Sequence, residues 1–239
     1  MKFCAVILAA GDGSRLKANT PKPLVKINNK SIIEYIVDTF LKFENIQIIV
    51  VVKKNSPIID LLGDKCKFIF QENPKGTGNA VKCALDYIKQ YDYTFISVGD
   101  SPLISYKTLK KMTDNHLLNN IDCSFLTANF PQSYPYASII RDENMKVAKC
   151  IEQQDANDDE KKVLERMSSH YLIKSKTITN HIHSIKPNIN TNEEYFTDII
   201  NILIEKNKKI EGYETSNYKE LIGINTPLDL KEIENIING

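Results

Sequence analysis

Apolar positions along the chain follow two alternating habits. Short, nearly unbroken runs rich in β-branched residues lie at Phe3–Leu8, Ile46–Val52, Lys67–Phe70 and 94–98. Runs of that length and composition read as buried strands. Between them the spacing becomes that of a single helical face, first at Ile32, Ile33, Ile36, Val37, Phe40 and Leu41, then at Ala80, Val81, Ala84, Leu85 and Ile88. Strand, helix and strand in succession, with strands apolar on both faces, predict an α/β fold: a parallel sheet covered by helices on both sides. Ligands of such sheets collect beyond the carboxyl ends of the strands.

The second half changes habit. Strand-like runs at 123–128, Ala137–Arg141, 146–151 and 166–173 are joined by short polar turns such as Arg141-Asp142-Glu143-Asn144. They predict an inserted mixed or antiparallel sheet over the same ligand face. Helical spacing returns at 193–207 and 227–237. No Gly/Ser-rich or Pro-rich linker separates the halves, so the expectation is one domain, 1–239, with two lobes. One covers about 1–120 with a closing strand and helix at about 221–239, and the other about 121–220.

Composition narrows the chemistry. With 31 basic and 30 acidic side chains the formal net charge is +1. A nucleic-acid partner met by a broad basic face is therefore not expected, and an anionic ligand must be met by a few local cations. Cys4, Cys66, Cys83, Cys123 and Cys150 form no C-x-x-C pair, so they signal neither a zinc site nor a redox motif, and read as buried reduced thiols. The lone H-x-H of His181 and His183 lacks further ligands nearby, and His116 and His170 stand apart. The N-terminal apolar run continues into Gly11-Asp12-Gly13 and reads as a strand rather than a signal peptide. The densest apolar stretch, Ile46–Val52, is too short to span a bilayer. No membrane partner is expected, and the protein reads as cytoplasmic.

The first strand runs into Leu8-Ala9-Ala10-Gly11-Asp12-Gly13-Ser14-Arg15-Leu16, followed by Pro21-Lys22-Pro23-Leu24. Glycines after a buried strand let backbone N–H groups approach a phosphate. The spacing is neither G-x-G-x-x-G nor a P-loop ending in G-K-[ST], so a dinucleotide fold and a P-loop ATPase are both poor fits. Arg15 and Lys22 add two cations able to converge on one polyphosphate.

These residues resemble the signature of sugar nucleotidyltransferases, and more closely the uridylyltransferase domain of bacterial N-acetylglucosamine-1-phosphate uridylyltransferases. The likeness continues in order along the chain. Gln71-Glu72 with Gly76-Thr77-Gly78-Asn79-Ala80 is similar to the family's base-recognition segment. Gly99-Asp100-Ser101-Pro102-Leu103-Ile104 resembles its metal-binding strand end. Glu152 with Asp155-Ala156 looks like its sugar-binding glutamate segment, and Tyr195-Phe196-Thr197-Asp198-Ile199-Ile200 like a helix start of the N-acetylglucosamine branch. Gly223-Ile224-Asn225-Thr226 resembles the second metal-ligand segment.

The resemblance implies a Rossmann-like nucleotide-diphospho-sugar transferase fold whose second lobe binds the sugar. It implies UTP and N-acetylglucosamine 1-phosphate as substrates, UDP-N-acetylglucosamine and pyrophosphate as products, and Mg²⁺ as cofactor. Arg15 and Lys22 become the catalytic cations. Leu8, Ala10, Gly11, Gly13, Ser14, Gln71, Gly76 and Thr77 become nucleotide contacts, and Ala137, Glu152, Ser168, Tyr195 and Thr197 sugar contacts. Asp100 and Asn225 become the metal ligands. Each of those two has a competing reading as a helix cap, Asp100 ahead of Pro102 and Asn225 ahead of Pro227.

Four positions depart from the family's pattern. Val98 stands where relatives usually carry an aromatic residue, Ala137 where they carry glycine, Ser168 where they carry asparagine, and His170 where they carry a small residue. All lie by the expected sugar or metal pocket. They keep open a nucleotidyltransferase using UTP, CTP or dTTP on another sugar 1-phosphate or small phosphorylated acceptor. A non-catalytic nucleotide-binding protein is a further alternative. Nothing up to Gly239 resembles the hexapeptide-repeat acetyltransferase domain of the bifunctional relatives, so uridylyl transfer alone is expected. Oligomeric state is left open.

Overall fold

A computed structural model describes residues 1–11, 20–132 and 134–239. In chain order the first half holds β1 (Phe3–Leu8), the small hairpin β2 (Lys26–Ile27) and β3 (Lys30–Ser31), α1 (Ile32–Phe40), β4 (Ile46–Val52), α2 (Ile58–Leu62), β5 (Lys67–Phe70), α3 (Thr77–Cys83), α4 (Leu85–Ile88), β6 (Tyr93–Val98) and α5 (Tyr106–Leu118). The second half holds β7 (Cys123–Asn129), β8 (Ala137–Arg141), β9 (Val147–Ile151), α6 (Asp158–Lys162), β10 (Glu165–Lys174), α7 (Ser175–His181), α8 (Asp198–Glu205), β11 (Ile210–Glu214) and α9 (Pro227–Asn238).

The main sheet runs β11-β7-β10-β6-β1-β4-β5. β1 pairs in parallel with β4 and β6, β4 with β5, and β7 with β11, whereas β10 runs antiparallel between β6 and β7. The fold is thus α/β with a mostly parallel sheet. The strands of the second half extend this sheet, and only the β8–β9 hairpin leaves its path, hanging from β10.

Strand alternation explains why both faces are covered. Ala5, Ile7, Ile48 and Val50 point into one core with Ile32 and Ile36 of α1, Leu109 and Met112 of α5 and Ile233 of α9. Cys4, Val6, Ile49 and Val51 point into the other with Val81 of α3, Ile178 of α7, and Ile199 and Leu203 of α8. The helix starts are fixed chemically. Ser31 and Glu34 close a capping box on α1, and Thr226 and Asp229 close one on α9, with Pro227 in its first turn.

The helix expected over 193–207 begins only at Asp198. The residues before it are stitched across the start of α3 instead. Glu194 N donates to Lys75 O (2.8 Å), Gly78 N donates to Glu194 O (2.8 Å) and Phe196 N donates to Thr77 Oγ1 (2.9 Å). The bond from Gly78 takes the Glu194 carbonyl that a helix starting at 193 would turn inward to the N–H of its own fourth residue on. Among the described residues no helix is long and apolar enough to cross a membrane.

Candidate active site

The carboxyl ends of β1, β4 and β6 stop level with one another, Leu8 lying opposite both Val51 and Val98. The ladder then runs one step further, Gly99 N donating to Leu8 O (2.9 Å) and Ala9 N to Val51 O (2.8 Å). At Gly99 a Cβ would lie 2.9 Å from that Leu8 carbonyl oxygen, so the chain can turn here only without a side chain. Asp100 emerges from this turn at the ligand end of the sheet.

Three side chains from distant parts of the sequence meet there. Lys22 Nζ donates to Asp100 Oδ2 at 2.5 Å and to Asn225 Oδ1 at 2.8 Å. Lys22 starts a short 3-10 turn between Pro21 and Pro23, held by Leu24 N donating to Pro21 O (2.8 Å). The 223–225 segment lies against Asp100, with Ile224 N donating to Asp100 O (2.9 Å). The capping readings of both acceptors fall away. Ser105 caps α5 and Thr226 caps α9; Asp100 Oδ1 accepts from Ser101 Oγ (3.3 Å), which leaves Asp100 Oδ2 and the Asn225 amide oxygen to a cation.

A cleft of about 480 Å³ opens on one side of this junction, lined by Leu8, Ala10, Gly11, Gln71, Gly76 and Thr77 together with Lys22, Asp100 and Asn225. The expected contacts at Gly13, Ser14 and Arg15 lie outside the described residues. Gln71 is only 3% exposed. Its Nε2 donates to Gly76 O (3.2 Å) and Asn79 Oδ1 (2.7 Å), so among the described residues its amide oxygen is left to accept from a ligand. Gly76 adopts φ +94°, and a Cβ there would sit 2.8 Å from Glu194 N. Both conformation and space demand glycine. Tyr195, expected at the sugar, lines this larger cleft. Its hydroxyl donates to Thr191 Oγ1 (2.8 Å) and accepts from Gln154 Nε2 (2.9 Å).

A second cleft, about 160 Å³, opens on the other side. Ala137, Glu152, Ser168 and Thr197 line it, and it shares Val98, Asp100 and Asn225 with the larger one. Thr197 Oγ1 donates to Glu152 Oε1 at 2.6 Å. Burial raises the Glu152 pKa above that of an ordinary glutamate, opposed by the Thr197 bond and reinforced by Asp198 and Asp155. The Ser168 hydroxyl is 7% exposed as a residue and has no partner among the described residues. It sits in an irregular stretch of β10, where the register shifts between Met167 and Tyr171 and Ser169 takes φ +61°.

His170 lines neither cleft. It is buried with Nδ1 2.8 Å from Ser97 Oγ, and burial pushes its pKa down to about 4. It is therefore a neutral group under the site at physiological pH. Tyr136, which the sequence did not single out as a contact, does line the smaller cleft. Its hydroxyl oxygen accepts from Gly223 N (2.9 Å), and its ring rests on Phe130 and Tyr134 at centroid distances of 5.5 and 5.8 Å. The available signal was its place beside Ala137, combined with three aromatic residues within a short loop.

The elements that carry this junction also carry the likeness to known proteins. Residues 5–171 match the model of the MobA-like NTP transferase domain. The chain belongs to that nucleotidyltransferase family. A protein of Clostridium kluyveri named bifunctional protein GlmU is 35% identical over 242 residues, covering 100% of this chain and 53% of its own length. One of Staphylococcus carnosus with the same name is 33% identical over 236 residues, covering 98% of this chain and 52% of its own. The chain thus spans about half the length of the curated relatives it matches. Among solved structures, a putative glucose-1-phosphate thymidylyltransferase from Bacillus anthracis in complex with sucrose superposes with a TM-score of 0.78 at 19% identity, over 98% of this chain and 94% of that one. That superposition shows the shared fold.

For a family of nucleotidyltransferases the donor set at the junction fits a hard divalent ion. The oxygens of Asp100 and Asn225 already converge on one cation, the Lys22 ammonium. Among the described residues no group of three or more His, Cys, Asp or Glu could hold a metal. A site with two protein oxygens suits Mg²⁺, which completes its shell with phosphate and water. The histidines and thiols offer no competing centre. Cys4, Cys66, Cys123 and Cys150 are buried, whereas Cys83 is exposed, contrary to the expectation that all five are buried.

Proposed function

We propose that the chain transfers a uridylyl group from UTP to N-acetylglucosamine 1-phosphate, releasing pyrophosphate and forming UDP-N-acetylglucosamine. The observation that carries this reading is the meeting of a larger and a smaller cleft at one cation-binding junction, Asp100, Asn225 and Lys22. Nucleotidyl transfer needs that arrangement: two anionic substrates brought into line across one point of charge neutralisation.

In this reading the triphosphate lies in the larger cleft and the acceptor in the smaller. The Gln71 amide oxygen accepts from the imide N–H of uracil, and Gly76 lets the base lie against backbone. Glu152 and Ser168 accept from acceptor hydroxyls, with Thr197 holding the Glu152 carboxylate in place. Lys22 offsets charge on the phosphates as the acceptor oxygen attacks the α-phosphorus in line with departing pyrophosphate, and Arg15 steadies that pyrophosphate. Mg²⁺ held by Asp100 and Asn225 supplies further neutralisation of the reacting phosphates when bound.

A second reading keeps the reaction and changes the acceptor or the base. Ala137 and Ser168, both lining the smaller cleft where relatives carry glycine and asparagine, favour it. The experiment that separates them is pyrophosphate release from UTP, CTP, dTTP and ATP, each against N-acetylglucosamine 1-phosphate and glucose 1-phosphate. Turnover confined to UTP with the N-acetylated sugar is expected. Faster turnover with any other pair replaces the substrates, and no release with any pair ends the transferase reading.

A further inference from the structure

We infer that Lys22 acts as a resident cation: in the nucleotide-free protein its ammonium holds the position between Asp100 and Asn225, and a divalent ion takes that position only with the nucleotide phosphates that draw Lys22 away. The inference rests on the reading of Asp100 and Asn225 as metal ligands.

The geometry leaves no room for both cations. Lys22 Nζ stands 2.5 Å from Asp100 Oδ2 and 2.8 Å from Asn225 Oδ1, filling the gap between the two oxygens. Mg²⁺ bound to the same oxygens needs contacts of about 2.0–2.1 Å. Charge favours the ammonium while the site holds no phosphate. Among the described residues Asp100 is the single carboxylate of the junction, and one ammonium neutralises it. The side chains of Lys22 and Asp100 are only 11% and 26% exposed, so the pair is weakly screened. Expelling Lys22 would leave a half-buried ammonium without an anion, a costly state.

A triphosphate removes that obstacle. Lys22 also lines the larger cleft, within reach of an anion lodged there. Its backbone is fixed by the turn, Val25 N donating to Lys22 O (3.1 Å), and Pro23 beside it is buried. The exchange therefore needs only the lysine's own side-chain torsions. Coupling of this kind is reciprocal: nucleotide raises metal affinity, and metal raises nucleotide affinity by the same factor.

The test is direct Mn²⁺ binding, read from the electron paramagnetic resonance signal of free Mn²⁺, on folded protein without nucleotide. Lys22→Met is expected to bind Mn²⁺ about tenfold tighter than wild type, or more, within the usual span of such couplings. Lys22→Gln should do the same, and adding Asp100→Asn to either variant should abolish the gain. Lys75→Met removes an equal charge from an exposed position beside Gly76 and should leave Mn²⁺ affinity unchanged. Equal affinities for wild type, Lys22→Met and Lys22→Gln overturn the inference, as does a gain that survives Asp100→Asn or is matched by Lys75→Met. Failure of the underlying reading has a different signature: UTP-dependent Mn²⁺ uptake by otherwise wild-type protein that is indifferent to Asp100→Asn.

Discussion

The two clefts that meet at Asp100 are built by different means. The larger is shaped by backbone: Gly76 pressed against Glu194, Gly99 against Leu8, and Gln71 locked by Gly76 O and Asn79. The smaller is shaped by side chains, Ala137, Glu152, Ser168 and Thr197, set on a hairpin, an irregular strand and a helix start. Backbone shape resists substitution, because changing it moves the fold. Side-chain shape can be altered one residue at a time while the sheet stays as it is.

Substitutions on each side should separate the two clefts. The largest effect is expected at the junction. Lys22→Ala should lower kcat by about 10²-fold or more, by analogy with the ~2.7–4 kcal/mol lost with a preorganised donor. Near-normal turnover in steady-state assays would remove Lys22 from the chemistry.

Next comes Glu152, on the side-chain cleft. Glu152→Ala should raise the acceptor KM with UTP KM little changed, the loss being about 1.5–3 kcal/mol for a hydrogen bond to a charged group. The same residue gives a pH signature. Because its pKa is raised, the carboxylate forms only as pH climbs above the ordinary glutamate value of 4.5, so with the contact to the acceptor proposed above, acceptor KM should fall across that interval. Over the same interval the folded protein binds more protons than the unfolded one, and stability should fall as pH rises. Glu152→Gln should flatten both trends, in initial-rate and thermal-melt profiles respectively.

Gly76→Ala tests the backbone cleft. Strain at φ +94° is expected to cost about 1–3 kcal/mol. It should appear as a lower Tm and a higher UTP KM, with the acceptor KM unmoved. Smallest of all, Ser168→Ala removes one neutral hydrogen bond of about 0.5–1.5 kcal/mol. It should change acceptor KM a few-fold, and an equal change in UTP KM would erase the distinction between the clefts.

The same division governs what could be read from the sequence. The central strands announced themselves because they are buried on both faces, so Phe3–Leu8 and Ile46–Val52 match the observed bounds. The helix α5 was missed because the face it buries includes Thr108, Thr113 and His116, which dilute the apolar stripe. The edge strand β11 was missed because Ile-Glu-Gly-Tyr-Glu pairs on one side only and carries a glycine. The helical spacing from 193 says nothing of Gly78, whose N–H takes the Glu194 carbonyl away from a helix that would start there.

Asp100, Asn225 and Lys22 each stand out in the sequence, but the contact that Lys22 makes with the other two does not. It joins positions 78 and 203 residues apart in sequence through one ammonium. Tyr136 was passed over for a similar reason, since its hydroxyl reaches Gly223 across 87 residues.

Whether chemistry occurs where the two clefts meet is tested by pyrophosphate release from UTP and N-acetylglucosamine 1-phosphate with Mg²⁺, comparing wild type with Asp100→Ala. Release by wild type that falls by about 10²-fold or more in the variant, in line with loss of a preorganised charge partner, is the expected result. Release that proceeds undiminished without the Asp100 carboxylate would contradict it.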